Sequence, residues 1–169
     1  MAEGEFMSYR DKIQPAEQVA EKMARWRAQK ATVVLANGCF DMLHVGHVRY
    51  LKAARAAGDK LVVAVNSDAS TRNLKGPGRP VLPEQARAEL VAALGAVDAV
   101  IVFAEPDVGG LLRQLRPDIH AKGTDYTEES VPERSIAQEL GVRVAIVGDA
   151  KTHSSRDLLA QIRAHSTQA

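Results

Sequence analysis

The chain has 169 residues, 46% hydrophobic and 25% charged, with a formal net charge of +1 at pH 7. That size and balance fit one soluble domain with a substantial core, and no apolar run approaches the ~18 residues a membrane helix needs. The near-zero charge argues against a nucleic-acid binder, and the single cysteine, Cys39, excludes an intrachain disulfide and suits a reducing cytoplasm.

Residues 1–13 contain no apolar run of the secretory type and read as a partly disordered tail ahead of a domain spanning 14–165. Residues 14–29 predict an amphipathic helix with Pro15 at its first position and one face made of Ala16, Val19, Ala20, Met23 and Trp26. TVVLAN (32–37) is a short continuous apolar run, the pattern of a buried parallel strand. A helix over 47–58, a strand over 60–66 and a helix over 83–95 follow. Then come a strand over 98–103, a helix over 107–116, a strand over 118–123, a helix over 132–141, a strand over 143–148 and a last helix over 154–165.

Strands thus alternate with helices from end to end. The pattern predicts an α/β fold: a Rossmann-like, five-stranded parallel sheet with helices on both faces, in a single domain. The longest irregular stretches are 67–82 and 124–131. Ligands of such sheets bind at the carboxyl ends of the strands, where the chain places NGCFDMLHVGH, NSD, FAEPD, KGTDY and GDAKTHSS. Lys75, Arg79, Arg87, Lys122 and Arg156 gather beside these ends, and basic residues clustered in a neutral protein point to a small anionic ligand.

The stretch NGCFDMLHVGH (37–47) carries the chemistry. Cys39, Asp41, His44 and His47 could be assembled into a zinc list, but two histidines three apart lack the helical i, i+4 spacing. Cys39 could act as a thiolate with a histidine as base. Phosphate binding is the third reading. A strand, a glycine turn and a helix N-terminus form an anion site, Gly46 permits close approach, and two imidazoles add donors. Of the other candidates, His120 reads as structural, His165 as solvated, and Trp26, Tyr50 and Phe103 as core.

HVGH resembles the His-x-Gly-His signature of the nucleotidyltransferase superfamily, which includes cytidylyltransferases and class I aminoacyl-tRNA synthetases. NGCFDMLHVGHVRYLKAARAAGDKLVVAVNSDAS, LKGPGRPVLPEQARAELVAAL and LRPDIHAKGTDY together are similar to the adenylyltransferase half of bacterial ADP-heptose synthases. The resemblance covers roughly 11–163 and lacks the sugar-kinase half, which implies a stand-alone nucleotidyltransferase fed by a separate sugar kinase. It implies that ATP and D-glycero-β-D-manno-heptose 1-phosphate give ADP-heptose and pyrophosphate, for lipopolysaccharide core or other surface glycans. It further implies Mg²⁺ arriving with ATP rather than a resident metal, a cytoplasmic enzyme, and a homodimer or higher assembly. Ala36, Thr124 and THSSRDLL depart from the family pattern, the latter two near the sugar and nucleotide positions. A cytidylyltransferase acting on glycerol 3-phosphate or a similar alcohol phosphate is the nearest alternative, and a non-catalytic nucleotide sensor a second.

In such a reaction the nucleophile is a phosphate monoester, largely dianionic at neutral pH because its second pKa is near ~6. It needs no base. The barrier is one anion attacking another, so positioning and charge cancellation dominate. On this basis His44, His47 and Lys75 are the expected catalytic groups. Asn37, Gly38, Cys39, Phe40, Gly46, Lys122, Ser154, Ser155 and Arg156 are expected to hold the nucleotide. Asp41, Arg79, Arg87 and Asp125 are expected to hold the substrate.

Overall fold

The computed structural model describes residues 8–150 and 152–166. Five parallel strands form one sheet: β1 (Val33–Gly38), β2 (Lys60–Asn66), β3 (Ala99–Phe103), β4 (Ile119–Gly123) and β5 (Arg143–Val147), in the order β3-β2-β1-β4-β5. The helices are α1 (Ala16–Ala28), α2 (Val45–Ala56), α3 (Asp68–Lys75), α4 (Glu84–Ala92), α5 (Gly109–Leu115), α6 (Arg134–Leu140) and α7 (Ser155–Ser166).

The period of the strands sorts the core into two layers. Val33 and Leu35 of β1 point into the layer that contains Val19 and Met23 of α1, Leu112 and Leu115 of α5, and Ala137 of α6. Val34 and Ala36 point the other way, onto Leu51 and Ala54 of α2 and Ala88 and Val91 of α4. Both faces of β1 are therefore covered, which explains why its sequence runs apolar without alternation. Ala36, a departure from the family pattern, lies in this second layer and is fully buried.

The two edges of the sheet differ chemically. At the amino edge, carboxylates accept the first strand N–H groups: Asp59 from Thr32 (2.8 Å), Asp118 from Val33 (2.7 Å) and Asp98 from Leu61 (2.8 Å). The carboxyl edge carries the imidazoles and several of the basic side chains. The chain winds from β1 through β2 to β3, then returns to build β4 and β5 on the other side of β1. The strand order thus reverses between β1 and β4, the position where open α/β sheets form a ligand crevice. The β1–β4 register runs from Val34–Ile119 to Ala36–Ala121, while β1 stays paired with β2 as far as Gly38–Val65. Past Ala36 the two strands part.

Four local expectations change. The helix expected from 47 begins at Val45, because His44 takes the N-cap position. The stretch 67–82 is not wholly irregular: Ser67 caps α3 by accepting from the Ser70 N–H, and α3 ends at Gly76 with φ +90°. Pro15 sits at the N-cap of α1 rather than inside its first turn. Of the expected tail, 1–7 lies outside the described residues, but Tyr9–Lys12 forms a 3-10 turn packed on α4. Arg10 pairs with Glu89 at 3.1 Å and Lys12 donates to the Ala92 carbonyl at 2.9 Å.

Candidate active site

β1 hands over to α2 through a tight turn in which Phe40 and Met42 have positive φ, 48° and 55°. The turn sets up a reciprocal cap at the start of α2. The His44 Nδ1 accepts from the Gly46 N–H at 3.1 Å, and the His47 Nδ1 accepts from the His44 N–H at 3.2 Å. Two otherwise orphaned helix donors are satisfied by imidazoles, in place of the usual hydroxyl and carboxylate.

The cap has a chemical consequence. An Nδ1 that accepts a backbone N–H carries no proton, so each neutral ring keeps its N–H at Nε2. The rings stack with centroids 3.8 Å apart and planes at 27°. Two imidazolium charges that close would repel by about 4 kcal/mol at an effective dielectric of ~20, so the geometry favours neutral donors. The buried Phe40 ring meets His47 edge-on, with centroids 5.5 Å apart. Gly46 is required by the cap itself. A Cβ there would lie 2.9 Å from His44 Cε1, so any side chain would push the ring out of place.

Asp41, expected to hold the substrate, is engaged by the loop after α3. Its side chain is buried and accepts from Arg79 Nε (2.7 Å), Val81 N (2.9 Å) and Leu82 N (3.0 Å). Burial alone would raise its pKa, but these hydrogen bonds and the guanidinium charge outweigh it and hold the carboxyl below its ordinary range. Asp41 therefore tethers the loop after α3 to the β1–α2 turn. Arg79 is fixed at that tether through Nε.

Arg87 is the clearest correction. Expected to hold a phosphate, it is fully buried and donates to the carbonyls of Leu82 (2.9 Å), Cys39 (2.6 Å) and Asn66 (2.7 Å) and to Asp68 (2.8 Å). It is an internal strut joining the carboxyl ends of β1 and β2 to α4. A substrate phosphate has no access to it.

Ser155, at the start of α7, donates its hydroxyl to the Asp41 carbonyl at 2.6 Å, and Ser154 accepts from the Asp157 N–H at 3.1 Å. Both hydroxyls were expected to face phosphates; they cap α7 and dock it on the turn. The docking brings the first turn of α7 beside that of α2, so two helix N-termini meet at one crevice, a favourable setting for anions. It also brings in a residue that the sequence reading passed over. His153 lies next to His44, with ring centroids 6.5 Å apart and planes at 30°. The only sequence signal was its place directly before the paired serines. Arg156 lies exposed in the first turn of α7.

On the other side of the crevice, the Tyr50 hydroxyl donates to the Ala121 carbonyl at 2.8 Å, tying α2 to β4 where β1 and β4 part. Asn37 Oδ1 lies 3.1 Å from His120 Nε2 and 3.4 Å from Lys122 Nζ. Lys122 is buried, 3.7 Å from Glu133 and 4.5 Å from the Tyr126 ring centroid. Burial pulls its pKa below the usual lysine value against the opposing pull of Glu133. Thr124, where the family pattern has glycine, donates to the Asp149 carbonyl at 2.8 Å and joins the ends of β4 and β5. Asp125 is exposed in the turn after β4, and Lys75 is the exposed last residue of α3, four positions ahead of the tethered Arg79. Gly38 has room for no side chain without crowding the Phe40 ring at 3.2 Å. Among the described residues, no group of three or more His, Cys, Asp or Glu side chains is placed to hold a metal ion.

The profile of the cytidylyltransferase-like family matches residues 35–165. The chain belongs to that family. It is a nucleotidyltransferase, and the crevice between β1 and β4 is where this fold class places its ligand. It is 46% identical over 154 residues to the bifunctional protein HldE of Magnetococcus marinus, covering 91% of this chain and 32% of that protein. It is 44% identical over 156 residues to HldE of Syntrophotalea carbinolica, covering 92% and 32%. The chain thus spans about a third of the length of these curated relatives. Among solved structures it is similar to the lipopolysaccharide core biosynthesis protein of Thermoplasma volcanium, with TM-score 0.63 and 31% identity, covering 72% of this chain and 99% of that one. No described helix is long and apolar enough to cross a membrane.

Proposed function

We propose that this nucleotidyltransferase moves the adenylyl group of ATP to a heptose 1-phosphate. A phosphate oxygen of the sugar bonds to the α-phosphorus, and the bridging oxygen between the α- and β-phosphorus leaves with its electron pair on pyrophosphate. The observation that carries the reading is the reciprocal His44–His47 cap. It supplies two neutral Nε2–H donors at a helix N-terminus beside the switch point, suited to charge that develops on phosphate oxygens. Similarity to HldE proteins, and to a protein titled for lipopolysaccharide core biosynthesis, supports the sugar-phosphate acceptor and a place in surface-glycan synthesis.

Lys75 and Arg79, on the segment tethered by Asp41, would approach the phosphates from the far side, with Arg156 and His153 at the α7 end. Lys122 and Asp125 would face the nucleoside or sugar hydroxyls. Mg²⁺ would enter as part of the substrate Mg–ATP. A sugar kinase would supply the 1-phosphate, and we place the enzyme in the cytoplasm as a homo-oligomer.

The family profile, cytidylyltransferase-like, favours one second reading: CTP and an alcohol phosphate such as glycerol 3-phosphate. Pyrophosphate release with each nucleoside triphosphate and each acceptor separates the two. Turnover confined to ATP and heptose 1-phosphate is the expected result, and turnover with CTP and glycerol 3-phosphate overturns it. Nucleotide binding with no pyrophosphate release from any pair would identify a sensor instead.

A further inference from the structure

We propose that His120 is a positioning residue for nucleotidyl transfer: from the floor of the β1–β4 crevice it fixes the Asn37 carboxamide with its NH₂ group turned toward the anionic ligand. The inference rests on the nucleotidyltransferase reading above.

His120 and Lys122 are two apart on β4 and so project to the same side of the sheet. Both reach one atom, Asn37 Oδ1, at 3.1 and 3.4 Å. An ammonium can only donate, so the atom it approaches is the amide oxygen; a flipped amide would set NH₂ against the cation. With Oδ1 facing Lys122, the His120 contact requires the proton on Nε2. The two donors leave the Asn37 NH₂ directed away from β4, at the residue that leads into the 37–47 turn. Lys122 is itself held by Glu133 and Tyr126, so the arrangement is braced from α6 and from the turn after β4.

The ring is an unusual choice for a structural position. It is fully buried between paired strands, and its Nδ1 has no hydrogen-bond partner. An unpartnered buried nitrogen costs stability that an apolar side chain would not. Burial, with a smaller contribution from Lys122, pushes its pKa down to about 3. The ring therefore stays neutral, a fixed donor, wherever the enzyme works.

The test is a cycle of H120L, N37A and the double variant in the full chain, with H120Q as the conservative replacement. Pyrophosphate release and Mg–ATP affinity are both measured, alongside melting temperature at neutral pH. The expected result is that H120L melts no lower than wild type yet loses roughly tenfold to a hundredfold in kcat/KM. The double variant should be no worse than N37A, and H120Q should recover most of the loss. A wild-type rate in H120L, losses that multiply in the double variant, or an H120L protein that melts well below wild type overturns the proposal. If wild type releases no pyrophosphate, the functional reading fails; the same cycle read in Mg–ATP affinity still decides the role of His120.

Discussion

His44 and His47 cap the same helix turn, each accepting a backbone N–H through Nδ1 at 3.1 and 3.2 Å. Structure and chemistry are coupled in these rings, and substitution can separate them. Asparagine is a good N-cap but carries no imidazole N–H. H44N should therefore melt close to wild type while losing about 10² to 10³ in kcat, the usual cost of one preorganised donor. H44A should lose the rate and, in addition, about 1 kcal/mol of stability. Denaturant unfolding beside steady-state kinetics checks both, and an H44N enzyme with full turnover removes His44 from the chemistry.

Gly46→Ala tests the same cap without replacing either ring. The added Cβ would sit 2.9 Å from His44 Cε1 and 3.0 Å from Nδ1. The ring must rotate away, so its cap is lost together with its alignment. The variant should fold, since position 46 is at a helix terminus, and should lose turnover by a factor comparable to H44A. Wild-type activity in G46A would mean that the stacked arrangement is not needed.

The β1–α2 junction was readable because its physics is local: an apolar run, a glycine turn and two imidazoles within eleven residues. The parallel sheet, its two helix layers and the converging strand ends followed from alternation alone; the strand order did not. What could not be read were the jobs of side chains whose partners are distant in sequence. Arg87 carries the charge of a phosphate ligand, but it is spent on carbonyls at positions 39, 66 and 82. Asp41 meets its partners 38 to 41 residues away. His44 as an N-cap went unread because capping rules name hydroxyls, amides and carboxylates. His120 and Lys122 were legible as one strand face, but not as two donors to one oxygen on the neighbouring strand.

Arg87→Lys should damage folding rather than substrate affinity. A lysine keeps the charge but cannot reach four acceptors with a planar fork, so buried carbonyls lose partners. The expected loss is about 2–4 kcal/mol in denaturant unfolding. KM for the sugar phosphate in the folded fraction should change little. A large KM effect at unchanged stability would return Arg87 to the substrate.

Asp41→Ala leaves Arg79 and two backbone N–H groups without their acceptor. Breaking a buried pair in this way costs about 3–5 kcal/mol. The 79–82 segment loses its tether, so Arg79 and the lysine ahead of it lose their placement. Protease cleavage at 76–82 should rise in parallel with the fall in activity. An intact loop with normal turnover would contradict the tethering role.

His120 and Asp41 should separate in an acid titration of stability. The His120 pKa falls from its ordinary 6.5 to about 3 in the fold, so below ~6.5 the unfolded chain binds a proton that the native ring refuses. Its contribution is fully present above pH ~6.5 and is lost progressively as pH falls toward 3, amounting to about 2–3 kcal/mol between pH 7 and pH 4.5. Asp41, held below its ordinary value of 3.8, contributes stability that is present above that value and lost only as pH falls further. Stability measured at pH 7 and 4.5 should therefore drop less in H120L than in wild type, while D41N should leave the drop unchanged. An equal drop in H120L and wild type would show that the ring takes up its proton in the folded state, and the neutral donor assigned to it would be lost.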